Sequence, residues 1–398
     1  MISFLKTPEP EIDHRILTAR QMMEKQGLDA MFITHKPDLF YFSGTAQDAY
    51  LMMFLDQDPI LFVKQYLPRA LEESSLKQVE PITSIKEIPQ RILEMNGRLP
   101  SRCGLAFDVV PHKDVLFYQE LFNTVDFADA SSVITQCRQI KSSWEIDRLE
   151  ASARLSKRTF DYMAQTLRPG ISEMEFCGMF ETFARRHGHS GILLMRHYRA
   201  AGYPFHLLSG ESGGLAGALD SPVTGTGASI AYPYGAGPRL LRENEPILID
   251  FGTVLDGYHI DETRMFCMGT MPQKAMDACQ AAMDILTALV EMMKPGVAMA
   301  DVYDSCIRHA GQLGYDTEFL GLPELKAKFI GHGTGVELVE APIVAKGRSD
   351  ILMPGMVLAM EPKFNFKDQF AAGIESVIHI GHDKARVLSQ TDHKVFMC

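Results

Sequence analysis

Five side chains that can ligate a metal ion, Asp250, Asp261, His332, Glu361 and Glu375, fall within the last 150 residues of a 398-residue chain. Four of them form two mirror-like pairs. Asp250 ends the apolar run Pro246-Ile-Leu-Ile249, Asp261 follows Gly257-Tyr-His-Ile260, and the midpoint between them falls in Val254-Leu-Asp-Gly257. In an antiparallel hairpin, residues equidistant from the turn sit opposite each other with side chains on one face. The same arithmetic applies to Glu361 and Glu375, whose midpoint is Asp368. Two hairpins are therefore expected, each presenting a facing carboxylate pair. Facing like charges repel, so each pair requires a proton or a cation between its members. The apolar flanks Ile247-Leu-Ile249 and Val357-Leu-Ala-Met360 imply burial, and a buried carboxylate needs a partner. Four carboxylates and a histidine suit one or two divalent cations, and the expected chemistry is hydrolysis.

The elements that must position these residues repeat along the chain. Leu167-Arg-Pro-Gly-Ile171 recurs as Met293-Lys-Pro-Gly-Val297, 126 residues later. Helical spacing precedes each copy, with Leu149, Ala153, Ser156, Phe160 and Met163 in the first and Met276, Cys279, Met283, Leu286 and Val290 in the second. A helix is expected after each copy too, opened by a Ser172/Glu175 capping box in the first and by Asp301 in the second, and ended near Gly188 and Gly314. Each unit then leads to one carboxylate hairpin. A duplicated unit implies two halves about a pseudo-twofold axis, with a site drawn from both.

Upstream, residues 12–26 read as a helix stopped by Gly27, residues 29–34 as a strand, and Tyr41-Phe-Ser-Gly44 as its exit. Further apolar runs at 51–55 and 60–63, and an amphipathic stretch at 85–95, predict an α/β domain over residues 1–135. Residues 136–398 form the second domain. A formal charge of −11 argues against nucleic acid or anionic membrane as partner. Seven scattered cysteines without a C-x-x-C suit reduced thiols in a cytoplasm, and the 23 methionines read as core filler. No signal peptide and no membrane span are read.

The segments Asp250-Phe-Gly, Gly257-Tyr-His-Ile-Asp261-Glu-Thr-Arg264, Gly331-His-Gly-Thr-Gly335, Pro354-Gly-Met-Val-Leu-Ala-Met-Glu-Pro362 and Gly373-Ile-Glu375 resemble those of the pita-bread (M24-type) metallopeptidases, in the Xaa-Pro dipeptidase/aminopeptidase and creatinase-like branch. Gly27-Leu-Asp-Ala-Met-Phe-Ile-Thr34 with Tyr41-Phe-Ser-Gly44 is similar to the creatinase-type N-terminal domain, and Arg138-Gln-Ile-Lys141 with Glu145-Ile to the approach into the catalytic half. The resemblance covers the whole chain. It implies an α/β (α+β) architecture: a creatinase-type N-terminal domain followed by a pseudo-twofold pita-bread catalytic domain. It also implies a dinuclear site in which Asp250 chelates one ion, His332 and Glu361 bind the other, and Asp261 and Glu375 bridge. Glu361 is the implied proton carrier, Thr263 and Arg264 the implied supports, and a homodimer the implied assembly. The donor set suits Mn²⁺, Co²⁺, Fe²⁺ or Zn²⁺, with Mn²⁺ favoured.

The pattern departs from these peptidases around the substrate. Tyr234 in Ala231-Tyr-Pro-Tyr-Gly-Ala-Gly237 stands where a carbonyl-contacting histidine is expected, and Val339 where a second histidine is expected. Gly373 and Ser376 replace an arginine and an aspartate. Tyr234 can still donate a hydrogen bond to an oxyanion, and His206 is the nearest histidine able to substitute. His197 and His259 read as structural. The glycine-rich stretch 209–227 reads equally as loops at the site mouth or as plain surface. The leading expectation is hydrolysis of an amide bond in a small peptide, an Xaa-Pro substrate foremost. Behind it stand a non-peptide amide or amidine hydrolase on the same scaffold, creatinase-like chemistry included, and a catalytically silent peptide-binding module.

Overall fold

The computed structural model describes residues 5–196, 206–217, 219 and 221–398, so His197 lies outside the described residues. The chain divides into two units, Met1–Arg138 with Arg196–Arg199, and Gln139–Met195 with Ala200–Cys398.

In the first unit, helix α1 (Glu9–Gln26) ends where Gly27 takes a left-handed φ of 64°, a conformation that costs glycine little. Strand β1 (Ala30–Ile33) follows, then α2 (Lys36–Ser43), β2 (Ala49–Phe54), β3 (Ile60–Val63), α3 (Leu67–Glu73), β4 (Gln78–Pro81), α4 (Ile88–Asn96), β5 (Arg102–Leu105), α5 (His112–Leu121), β6 (Asp126–Asp129) and α6 (Ser131–Gln139). The six strands make one sheet in the order β4-β3-β2-β1-β5-β6. Expected as a strand exit, Tyr41-Phe-Ser-Gly44 is instead the last turn of α2, closed by Gly44 at φ 77°. Pro37 in its first turn and glycine just past its end are helix boundary signals that the apolar run concealed. Asp38 is buried and paired with Arg138 and Arg196, each at 2.8 Å.

The second unit carries the duplication. Helices α7 (Ser143–Thr166) and α8 (Glu173–Arg186) correspond to α9 (Gln273–Met292) and α10 (Met299–Gln312), with α8 and α10 offset by 126 residues at both ends. The turns between them match in detail. Gly170 and Gly296 have φ of 86° and 88°, and their N–H groups donate to Leu241 and Leu352. Ser172 caps α8 through its hydroxyl, which accepts from the Glu175 N–H, whereas α10 has no side-chain cap. The strands are β7 (His206–Ser209), β8 (Ile247–Leu255), β9 (Tyr258–Cys267), β10 (Phe329–Gly333), β11 (Glu340–Ala345), β12 (Val357–Met360), β13 (Lys363–Phe366), β14 (Phe370–Gly373), β15 (Ser376–Ile380), β16 (Ala385–Val387) and β17 (Phe396–Met397). They form sheets ordered β17-β9-β8-β7 and β11-β10-β12-β15-β16, with β13 and β14 as a separate ribbon. Apolar faces of α9 and α10 pack with Met265, Met356, Leu358, Met360 and Ile378 behind the strands, which fixes their register by burial.

Both hairpins form, and one departs from its expected register. In β8/β9, Asp250 lies opposite Thr263 and Asp261 opposite Gly252, so the two aspartates are diagonal rather than facing. Asp256 and Gly257 both take positive φ, 51° and 82°, as a two-residue Asp-Gly turn requires. That turn sits one residue later than the assumed midpoint. The aspartates keep one face because the shift in pairing is two residues. In the other hairpin, β12/β15 and β13/β14 share one register, and Glu361 and Glu375 fall between the two ladders.

An alanine Cβ at Gly170 or Gly296 would meet nothing within 4 Å, so only the left-handed backbone resists it. Gly170→Ala and Gly296→Ala should each cost about 1–2 kcal/mol. Urea midpoints should fall by similar amounts in both; a loss confined to one would show that the two turns are not equivalent.

Candidate metal centre

The two hairpins meet through Thr263. It pairs with Asp250 within β8/β9 and with Glu375 across the seam, where each backbone N–H donates to the other's carbonyl at 3.3 and 3.1 Å. The Thr263 hydroxyl also donates to Glu375 Oε2 at 3.0 Å. Arg264 is fully buried and donates to the Glu375 carbonyl at 2.6 Å and to that of Thr391 at 2.7 Å, anchoring the backbone beneath the site. His332 arrives on β10, which pairs with β12, while the Glu361 N–H donates to the Ile330 carbonyl.

All five expected ligands come together, and all are buried. They floor a cavity of about 270 Å³ whose walls include Met195, Phe329, Leu338, Val339 and Ile343. Asp261, His332 and Glu375 offer ligand atoms within 4.8 Å of one another. His332 Nε2 lies 3.8 Å from both Asp261 Oδ2 and Glu375 Oε1. His332 Nδ1 lies 3.0 Å from the Gly333 carbonyl, which can only accept, so Nδ1 is the donor and in the neutral ring the Nε2 lone pair faces the carboxylates. Among the described residues, Asp261 Oδ1, Glu375 Oε1 and, on the far side, Asp250 Oδ1 are buried with no hydrogen-bond partner. Unsatisfied buried oxygens around a free imidazole lone pair are what one divalent cation would complete.

The other side of the site already holds a cation. Lys363, on β13 and fully buried, places Nζ 3.0 Å from Asp250 Oδ2, 2.9 Å from Glu361 Oε2 and 2.7 Å from Glu375 Oε2. Its cross-strand neighbour is Gly373, where an added Cβ would come within 2.7 Å of Lys363 Cγ. Sequence reasoning passed over Lys363. The available signal was period two: Lys363 follows Glu361 by two residues in an extended segment, which puts both side chains on one face.

Charge crowding governs the ionisation of these groups. Burial works to raise Asp250, but Lys363 and then His206 outweigh it and hold that carboxyl well below the usual range. Burial and the charges of Glu375 and Asp250 push Asp261 well above its ordinary value. Glu375 is pushed up to about 8 by burial first, with Glu361 and Asp250 adding to the rise and Lys363 opposing it.

The remaining expected residues fall as follows. His206 is fully buried on β7 opposite Asp250, with Nδ1 3.5 Å from Asp250 Oδ2, and among the described residues it does not line the cavity. Neighbouring strands share a face, so the imidazole supports a carboxylate instead of reaching the cavity. Tyr234 is half-buried and is not among the lining residues either, whereas Val339 is. His259 is structural: its Nδ1 meets the Gly335 carbonyl at 3.1 Å, and the Leu194 N–H donates to its Nε2. Within the glycine-rich stretch, Gly213 and Gly214 are buried so closely on the β13/β14 ribbon that a Cβ would strike backbone nitrogens of Ala371 and Gln369 at 2.5 Å, while Leu219 and Ser221 line the cavity. Glu173, unremarked in the sequence, ties this stretch to α8 by accepting from the N–H groups of Ser209 and Gly237 at 2.8 Å.

Residues 147–382 match the family described as Metallopeptidase family M24, and residues 15–140 match the Creatinase/Prolidase N-terminal domain. The chain is 23% identical over 381 residues to an Xaa-Pro dipeptidase of Pyrococcus furiosus, covering 94% of this chain and 97% of that one. It is 27% identical over 388 residues to a putative dipeptidase of Bacillus subtilis, covering 95% and 98%. Among solved structures, an Xaa-Pro dipeptidase from Bacillus anthracis superposes with a TM-score of 0.83 at 19% identity, over 97% of this chain and 100% of the other.

Protons held by Asp261 and Glu375 must leave when a cation binds. In the metal-free protein, the raised Glu375 pKa contributes stability that is complete below its ordinary 4.5 and is lost as pH rises through about 8. The gap in melting temperature between Mn²⁺-loaded and chelator-stripped protein should therefore widen from pH 5 to pH 8, and less so in Glu375→Gln. Scanning fluorimetry across that range reads it; a gap that narrows would contradict the assignment.

Proposed function

The chain belongs to metallopeptidase family M24, a family of metal-dependent hydrolases, and we propose that it cleaves the amide bond of a small peptide, an Xaa-Pro dipeptide or an N-terminal Xaa-Pro bond foremost. One observation carries this reading: a buried Asp261–His332–Glu375 donor set on the floor of an apolar-walled cavity. A cavity of about 270 Å³ suits a short peptide, and walls of Met195, Phe329, Leu338, Val339 and Ile343 suit an apolar side chain or a proline ring. The names of the dipeptidase relatives point the same way.

Asp261, His332 and Glu375 would hold the ion, which supplies Lewis-acid chemistry at the scissile carbonyl when bound. Oxygen donors with a single imidazole favour Mn²⁺, Co²⁺ or Fe²⁺ and put Mn²⁺ first. Glu361 is the proposed proton carrier between the attacking water and the leaving nitrogen. Its Oε2 is held by Lys363 at 2.9 Å, which fixes the carboxylate's direction. Thr263 holds Glu375 in place, and His206 does the same for Asp250. Val339 contributes surface, not a polar contact, so recognition of the substrate carbonyl falls to the charged floor. We assign the protein to a reducing cytoplasm, as its unpaired cysteines favour, and to a homodimer.

Chelator-stripped protein should be inactive, and Mn²⁺ or Co²⁺ should restore release of free amino acid from a panel of Xaa-Pro dipeptides. Asp261→Ala should abolish that release, and Glu361→Gln should lower kcat by roughly 10²–10⁴-fold with little change in bound metal. No turnover of any Xaa-Pro peptide by fully loaded protein would sink the substrate assignment.

A further inference from the structure

The five side chains divide into a group that fits an ion and a group gathered around the Lys363 ammonium. We propose that Lys363 takes the place of a second cation, so that the centre binds one divalent ion, held by Asp261, His332 and Glu375, beside a fixed ammonium. The inference rests on the metal-dependent reading above and concerns the number of ions.

Two observations carry it. An ammonium has three donors and no acceptor, and Lys363 Nζ has three carboxylate oxygens at 2.7–3.0 Å, one each from Asp250, Glu361 and Glu375. An ion held by those same oxygens would sit about 2.0–2.2 Å from each, inside the space that Nζ occupies.

The two Glu375 oxygens separate in the same way, although on the lysine side Asp250 Oδ1 also has no hydrogen-bond partner among the described residues. Glu375 Oε2 already accepts from Lys363 and from the Thr263 hydroxyl. Glu375 Oε1 has no hydrogen-bond partner among the described residues and lies on the His332 side, 3.8 Å from Nε2. Glu375 thus has one oxygen turned to the ammonium and one available to an ion. Room for the lysine is provided across the ribbon, because Gly373 has no Cβ to press on Lys363 Cγ. The lysine side chain is buried to 1% exposure at the edge of the cavity. Asp250 then serves chiefly as its counter-ion, and Glu361 gives it one oxygen, Oε2.

The test counts metal and uses no peptide, so it can fail independently of the substrate assignment. Stripped protein would be dialysed against Mn²⁺, freed of loose ions, and analysed by inductively coupled plasma mass spectrometry and by electron paramagnetic resonance. Wild type should carry one ion per chain and give the spectrum of isolated Mn²⁺. Lys363→Gly and Lys363→Met should rise towards two ions and show exchange coupling, whereas Lys363→Arg should stay at one. Two ions or a coupled spectrum in wild type would overturn the proposal, as would variants that remain folded by circular dichroism but still bind one. Wild type that takes up no ion would overturn both this inference and the metal assignment. If the neutral variants do not fold, anomalous scattering from Mn²⁺-soaked wild-type crystals decides: one peak, beside Asp261, His332 and Glu375, supports the proposal, and a second at the Nζ position defeats it.

Discussion

Four carboxylates buried on one cavity floor are the constraint around which the catalytic unit is arranged. No protein interior tolerates that much like charge unanswered. Lys363 meets part of it from within the chain, and protonation or an ion must meet the rest. The surrounding construction serves to hold these groups in spite of their repulsion. Arg264 is buried beneath them and bonded to the carbonyls of Thr263, Glu375 and Thr391, so the backbone that carries the site is braced by a second positive charge. Helices α7 to α10 then bury the outer faces of the strands and prevent a slip that would turn every ligand outward.

The duplication explains why such an arrangement could be built at all. Each half contributes a hairpin with two carboxylates, and Thr263 joins them by pairing with both. The halves match most closely in their helices and in the glycine turns at 170 and 296, which are concerned with packing. They differ where chemistry is done: His206 stands beside Asp250 in one half, and Lys363 stands between Glu361 and Glu375 in the other.

Much of this was legible in the sequence. The gathering of four carboxylates and a histidine, the repeat and both hairpins could be read because each rests on local spacing, namely apolar flanks, glycine turns and matched offsets, whereas the creatinase-type N-terminal domain was read from the resemblance of its motifs. What escaped depended on register or on tertiary neighbours. The Asp-Gly turn at 256–257 moves the aspartates from facing to diagonal, and only the dipeptide's preference for positive φ signals it. Tyr41-Phe-Ser-Gly44 carries residues at home in either helix or strand, and the proline at its start was the better guide. Lys363 was passed over because lysine is almost always a surface residue, and a lysine near a glutamate ordinarily reads as a solvated pair. Its importance comes from Asp250, more than a hundred positions away in sequence. The expected roles of Tyr234 and His206 rested on position in a motif, which does not say where a side chain points.

The seam at Thr263 gives the ion a mechanical meaning as well as a chemical one. Thr263 and Glu375 are 112 residues apart, and the groups on either side of their bridge belong to different hairpins. An ion shared by Asp261 and Glu375, as proposed, would therefore be a reversible cross-link that closes a long loop of chain once both halves are folded and docked. An ion held in this way would act as a latch on the assembled catalytic unit, since a half that has not docked could not hold it.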